Sequence, residues 1–308
     1  MTEFSELIGQ EQAVELLSRA VEKNRIAPAY LFAGPDGVGR SLAARYFAKL
    51  LLKENIQKQR KLENHPDFLW VEPTYLHQGK LLTVAEAAEA GLKRRARPQI
   101  RLEQVRDISR FLTRPPLEAP RCVVAIAQAE TMAEAAANAL LKTLEEPGKA
   151  TLILIAPSPD SLLPTLVSRC QRIPFYRLSP EAIKQVLEKE GHTEVFKNLA
   201  VLEMAQGSPG LAIASIKQLE EIPEELCQEL AGQPKNNKRA LELAKEIDRA
   251  LDAESQIWLI DYLQHCYWQS MADVSAIRHL EKARQCLLAY AQPRLVWEVT
   301  LLGISKSP

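Results

Sequence analysis

Ala29-Tyr30-Leu31-Phe32-Ala33-Gly34-Pro35-Asp36-Gly37-Val38-Gly39-Arg40-Ser41 is a short apolar run that leads straight into a glycine-rich loop. Gly34 to Ser41 fills the G-x-x-x-x-G-[K]-[ST] spacing of a phosphate-binding loop, in which backbone N–H groups and the start of the next helix cradle an anion. Leu42, Ala43, Tyr46, Phe47, Leu50 and Leu51 then recur at helical spacing to about Lys53, so the stretch predicts strand, loop and amphipathic helix. That context separates the match from a chance cluster of turn glycines. One position departs from the pattern: Arg40 stands where lysine reaches the β/γ-phosphates, and a broad, forked guanidinium is not a compact ammonium.

Outward from the loop, Phe68-Leu69-Trp70-Val71, Val123 to Ile126, Leu152 to Ala156 and Arg172 to Phe175 read as further strands. Helical segments separate most of them. Val14, Leu17 and Val21 mark one before the first strand; Thr131-Met132-Ala133-Glu134 has the pattern of a capping box that opens an alanine- and leucine-rich helix through Leu144. Nearly continuous apolar strands alternating with helices predict an α/β fold, a parallel five-stranded sheet covered on both faces. After about Leu178 the strand signals stop, and helices follow, broken at Gly207-Ser208-Pro209-Gly210, Ile222-Pro223 and Gly232-Gln233-Pro234. The expected division is 1–176 for a nucleotide-binding-type domain, 177–215 for a small helical domain and 220–308 for a second helical domain.

Phosphoryl transfer on such a fold needs a lysine on the phosphates, a carboxylate for Mg²⁺ and water at the end of the third strand, and a polar sensor of the γ-phosphate. Here the third strand runs into Ala127 and Gln128, and the fourth ends in Ala156. Glu130, separated from the third strand by three residues, falls beyond a turn and is read as out of place for a metal ligand or base. The loop formed by Gly34, Gly37, Gly39, Arg40 and Ser41 is therefore expected to be vestigial. No cofactor is required in it, and residual ATP or ADP binding stays open.

Lys+Arg and Asp+Glu are both 39 among 308 residues, so no global basic field exists to drive independent nucleic-acid binding. Apolar residues at 46% and charged ones at 25% are the balance of a globular chain. The five cysteines include no C-x-x-C pair, and His65, His77, His192, His265 and His279 show no metal-ligand spacing, so neither a disulfide framework nor a metal site is expected. Met-Thr-Glu-Phe-Ser-Glu at the start lacks a signal pattern, and no apolar run approaches the length of a membrane span; a cytoplasmic location is expected. Gly79 to Arg97, with Lys93-Arg94-Arg95-Ala96-Arg97, reads as a solvated basic turn in an insertion, with contact to a phosphate backbone as the alternative.

Ile8-Gly9-Gln10-Glu11, Ala29 to Pro35, the run Asn138-Ala139-Leu140-Leu141-Lys142-Thr143-Leu144-Glu145-Glu146-Pro147, and Leu163-Pro164-Thr165 leading to Ser168-Arg169-Cys170 resemble bacterial clamp-loader subunits, members of the AAA+ class. The resemblance covers most of residues 5–175 in order. The departures at Arg40, Ala127 and Gln128 set the chain with a non-motor subunit of the DNA polymerase III clamp loader, because the gamma/tau motor keeps the loop lysine and an acidic pair.

The resemblance implies an AAA+ module, a helical lid and a C-terminal collar that joins subunits into a ring, with Pro293-Arg294-Leu295 to Glu298 and Leu301-Leu302 near the collar's end. It implies as partners the gamma/tau motor subunits, the delta subunit, the sliding clamp, and primer-template DNA reached through the assembled complex, with no membrane involved. It also gives Arg169, in the motif with Ser168 and Cys170, the role of an arginine finger acting in trans on ATP-Mg in a neighbouring motor subunit; alone, it would read as a surface arginine. Relatives commonly carry a four-cysteine zinc module after the loop helix, but Lys53 to Asn64 holds no cysteine, so zinc is not expected although His65-Pro66-Asp67 remains. The rival readings are an active gamma/tau-type ATPase that tolerates Arg40, and a stand-alone DNA-binding protein.

Overall fold

A computed structural model describes residues 4, 6–53, 61–90, 97–146, 148–271 and 273–305. They fall into two compact units, Met1–Val186 and Leu187–Pro308.

In the first unit, β1 (Ala29–Ala33) and β2 (Phe68–Val71) are followed by β3 (Thr74–His77) and β4 (Lys80–Thr83), then by β5 (Cys122–Ile126), β6 (Ala150–Ala156) and β7 (Gln171–Pro174). The helices are α1 (Glu11–Glu22), α2 (Arg40–Leu52), α3 (Val84–Glu89), α4 (Leu102–Thr113), α5 (Glu134–Glu145) and α6 (Pro164–Val167), and α7 (Pro180–Lys189) carries the chain on into the second unit. The main sheet has the order β2-β5-β6-β1-β7 with every pair parallel. Its register sets Ala33 beside Ala156 and Pro174, and Val71 beside Ile126, so the carboxyl ends of all five strands open along one edge, where ligands bind in open α/β sheets.

Side chains alternate along each strand, and both alternating sets are apolar because both faces are covered. Tyr30, Phe32, Ile153 and Ile155 join Leu17 of α1 and Phe47 of α2 in one core. Leu31, Leu152 and Leu154 join Val105 and Ile108 of α4 and Leu140 of α5 in another. Phe47 meets Tyr30 edge-on, ring centres 5.0 Å apart, which fixes α2 and hence the loop before it over the end of β1.

The second unit contains α8 (Leu199–Ala205), α9 (Pro209–Glu221), α10 (Glu224–Ala231), α11 (Asn237–Ala250), α12 (Ala253–Met271), α13 (Val274–Leu288) and α14 (Pro293–Ser305). Each break read from the sequence falls where one helix gives way to the next, with Pro209 and Gly210 opening α9: Ser208 caps α9 by accepting from Leu211 N–H, and Asn236 caps α11 by accepting from Arg239 N–H. The core gathers Leu243, Ile247, Ile260, Tyr267, Leu280, Trp297 and Leu301. Trp297 Nε1 donates to Gln256 Oε1 at 2.8 Å, and Gln256 Nε2 donates to the Leu251 carbonyl at 3.0 Å, so the polar atoms of these two buried side chains are paired.

Two sequence expectations need correction. The segment around Gly79 is an antiparallel hairpin, β3 on β4, turning at Gln78 (φ 48°) and Gly79 (φ 78°), and Thr83 and Glu86 then cap α3 reciprocally. Adjacent Leu81 and Leu82 hide the alternation that signals a strand. Lys93 to Ala96 lie outside the described residues. Thr131 does not cap α5: it closes a 3-10 turn, its hydroxyl donates to the Gln128 carbonyl, and its own carbonyl accepts from Ile100 N–H, while Ala133 occupies the cap position without a side-chain bond. Among the described residues no helix is long and apolar enough to cross a membrane.

Candidate phosphate loop and arginine site

The loop leaves the carboxyl end of β1, between β6 and β7. Gly34 N–H donates to the Ala156 carbonyl at 3.3 Å, and a Cβ at position 34 would lie 2.3 Å from the Phe175 carbonyl oxygen, so only glycine allows the chain to pass the end of β7. Gly39 (φ 102°) is the residue before α2, where a side chain would meet a left-handed backbone and Leu7 Cδ1 at 2.8 Å. Gln10 holds the loop from the other side. Its Nε2 donates to the carbonyls of Val38 (3.2 Å) and Tyr176 (2.7 Å), and its Oε1 accepts from Tyr176 N–H (3.1 Å).

Arg40, the first residue of α2, is 7% exposed. Its Nη2 pairs with Asp36 inside the loop, and its Nη1 is buried without a partner. Ser41 beside it is exposed. Glu130 sits in the 3-10 turn after β5 with a buried Oε2 that has no partner. Burial pushes its carboxyl above the ordinary range and Asp36 adds to this, while its own backbone N–H and Arg40 act the other way. A turn does separate Glu130 from the strand, yet the side chain feels the charges of the loop, which its offset in sequence did not suggest. Ala127 gives the site only a backbone N–H, spent on the Val71 carbonyl at 2.8 Å, and Ala156 is fully buried. Gly34, Gly37, Gly39, Arg40 and Ser41 thus lie together in the loop and the first turn of α2, and the one cation among them already has a carboxylate. No group of three or more His, Cys, Asp or Glu that could hold a metal occurs among the described residues.

Ser168-Arg169-Cys170 lies apart, after the single turn of α6. Arg169 Nη1 donates to the Thr165 carbonyl at 3.0 Å, and Nη2 pairs with Glu145 Oε1 at 2.7 Å; the side chain is 37% exposed. Ser168 Oγ donates to the same Thr165 carbonyl at 3.1 Å. Burial pushes the Cys170 thiol up to about 11, so it packs as a neutral group rather than reacting. Sequence reading had no role for Gln10, Asp36 or Glu145. Asp36 and Arg40 could have been paired from their four-residue spacing, whereas nothing in the sequence links Glu145 to an arginine 24 positions on.

In His65-Pro66-Asp67 the aspartate has a structural task. Asp67 is fully buried and accepts from the N–H groups of Leu117, Glu118 and Ala119 at 2.7 to 2.8 Å. Burial alone would raise its carboxyl, but those three donors and His65 hold it below the ordinary value.

A five-stranded parallel sheet with a glycine loop after β1, covered by helices and followed by a helical unit, is the AAA+ type of fold. A family model described as "DNA polymerase III, delta subunit" matches residues 9–179, and one described as "Cyanobacterial DNA polymerase III delta prime, C-terminal domain" matches 181–304. The chain belongs to the DNA polymerase III delta-subunit family and, within it, to the delta-prime kind. DNA polymerase III subunit delta' of Bacillus subtilis is 33% identical over 196 residues, 60% of this chain and 52% of that one. The subunit of the same name from Pseudomonas aeruginosa is 35% identical over 199 residues, 59% and 54% of the two chains. Subunit tau of Bacillus subtilis is 28% identical over 208 residues, 64% of this chain and 35% of that one. The match thus spans about half the length of the two delta' relatives. A crystal structure of a DNA polymerase III gamma subunit-related protein from Thermotoga maritima superposes with a TM-score of 0.60 at 19% identity, over 96% of this chain and 99% of that one, a likeness of fold.

Proposed function

We propose that this chain is a non-hydrolysing subunit of a DNA polymerase III clamp loader that lends Arg169 to the ATP-Mg site of a neighbouring gamma/tau-type motor subunit. In that assembly a delta subunit, the sliding clamp and primer-template DNA are its further partners, residues 177–215 act as a lid, and 220–308 as the collar. The observation that carries the reading is the phosphate loop itself: Arg40 is buried against Asp36, and β5 and β6 run out into Ala127 and Ala156. Charge on a transferring phosphoryl group is stabilised by preorganised cations, metal and polar donors, and these positions supply none beyond Arg40. Arg169 uses two of its five N–H donors in the contacts described and stands at the surface with the others to offer. Such an arginine delivered in trans is worth about 10³–10⁵ in rate. A neutral chain brings no field of its own, so DNA is reached through the assembly.

Glu130 favours a second reading, a motor that still turns over. Its Oε2 is buried without a hydrogen-bond partner and its carboxyl is influenced by the charges of Asp36 and Arg40; a carboxylate there would serve a metal or an attacking water. Turnover of Mg-ATP by the isolated chain separates the two. None is expected; turnover that falls in Glu130→Gln would replace the first reading by the second.

A further inference from the structure

We propose that Glu145 is a positioning residue for Arg169, an inference that deepens the finger role given above and rests on it. Glu145 is the last residue of α5, and a carboxylate at the negative end of a helix costs that helix stability rather than adding to it. Its placement is accounted for by its partner: Oε1 receives Arg169 Nη2 at 2.7 Å while Thr165 takes Nη1 at 3.0 Å. Two acceptors on two different elements fix a planar guanidinium in both direction and tilt, which one acceptor cannot do. The Nε–H and one N–H on each terminal nitrogen remain unspent in these contacts and are left to donate to an incoming phosphate oxygen. Glu145 is 52% exposed on its side chain and Arg169 37%, so the pair adds little to folding stability and its effect lies in orientation. The ion pair also joins the two most distinctive stretches of the sequence, Asn138–Glu145 and Ser168–Cys170, which are separate motifs in the chain.

The test has two arms. In the reconstituted ring, Glu145→Ala in this chain alone is expected to lower kcat of DNA-stimulated ATP turnover by about 10- to 100-fold, the cost of a misplaced catalytic group, with KM for ATP nearly unchanged because the nucleotide is held by the neighbour. Glu145→Gln keeps an acceptor oxygen and is expected to restore most of the rate. An unchanged kcat for Glu145→Ala, in a ring that Arg169→Ala inactivates, overturns the proposal while leaving the finger intact. The second arm uses the isolated chain and does not depend on catalysis. The guanidinium nitrogen resonances of Arg169, assigned with Arg169→Lys, are expected to be resolved in the wild type and averaged in Glu145→Ala. Identical spectra would show that Glu145 orders nothing, whatever the ring assay returns; should Arg169→Ala leave turnover intact, the finger reading fails and positioning for catalysis fails with it.

Discussion

Gln10 and Tyr176 lie 166 residues apart and exchange two hydrogen bonds, Gln10 Nε2 to the Tyr176 carbonyl at 2.7 Å and Tyr176 N–H to Gln10 Oε1 at 3.1 Å. The same amide holds the Val38 carbonyl, so the residue that precedes α1 makes no cap for its own helix and instead ties the phosphate loop to the chain leaving β7. Gln10→Ala would take the side-chain partner from the buried Val38 carbonyl and from the part-buried Tyr176 carbonyl and N–H, at an expected cost of about 1–3 kcal/mol. Urea denaturation of the first unit's transition checks this; an unmoved midpoint contradicts it.

Gly34 and Gly79 separate two reasons for glycine. At Gly34 a Cβ would meet backbone at 2.3 Å, which no side-chain rotation relieves, and Gly34→Ala is expected to cost about 1–3 kcal/mol or more. At Gly79 nothing lies within 4 Å and only the left-handed φ of 78° is strained, so Gly79→Ala costs about 1–2 kcal/mol and leaves the sheet unperturbed. Thermal unfolding with amide exchange at Phe175 and Tyr176 distinguishes them, since only the first variant should disturb those amides.

Asp67 makes the first unit acid-sensitive. Its carboxyl titrates below its value of about 3.9 in an unfolded chain, so its stabilising effect is complete above that pH and is lost as pH falls through the folded-state value. Asp67→Asn is expected to be less stable at pH 7 by about 1–3 kcal/mol, with the gap to wild type narrowing towards pH 3. A gap independent of pH would mean that the three N–H bonds do not discriminate the charge.

Glu130 has the opposite sign. Its folded carboxyl titrates above the ordinary value of about 4.3, so the folded state holds the proton longer and stability declines as pH rises through that window, the penalty persisting above it. Glu130→Gln is therefore expected to raise the melting temperature at pH 7, and the gain to vanish below pH 4. A variant that melts lower at pH 7 would show that Glu130 supports Arg40 more than burial penalises it.

The parallel sheet was legible because both faces of each strand are buried, which writes Tyr30-Leu31-Phe32 and Leu152 to Ile155 as unbroken apolar runs. The glycine loop was legible because its spacing is fixed by backbone geometry that few residues tolerate. The β3–β4 hairpin was not, because Gln78-Gly79 is a weak turn signal and Leu81-Leu82 does not alternate. Nor were the partners that qualify the site: Glu145 pairs with Arg169 across two elements that share no local period, and the charges of Asp36 and Arg40 act on Glu130 from a distant part of the sequence.

The central claim is that chemistry is absent from this chain's own loop and supplied by its arginine to a neighbour. The most direct measurement is DNA- and clamp-stimulated ATP turnover by the reconstituted ring, with Arg169→Ala and Arg40→Ala introduced in this chain alone. Arg169→Ala is expected to cost about 10³-fold at the site it serves, and Arg40→Ala to leave turnover nearly unchanged. Loss of turnover with Arg40→Ala and none with Arg169→Ala would contradict it.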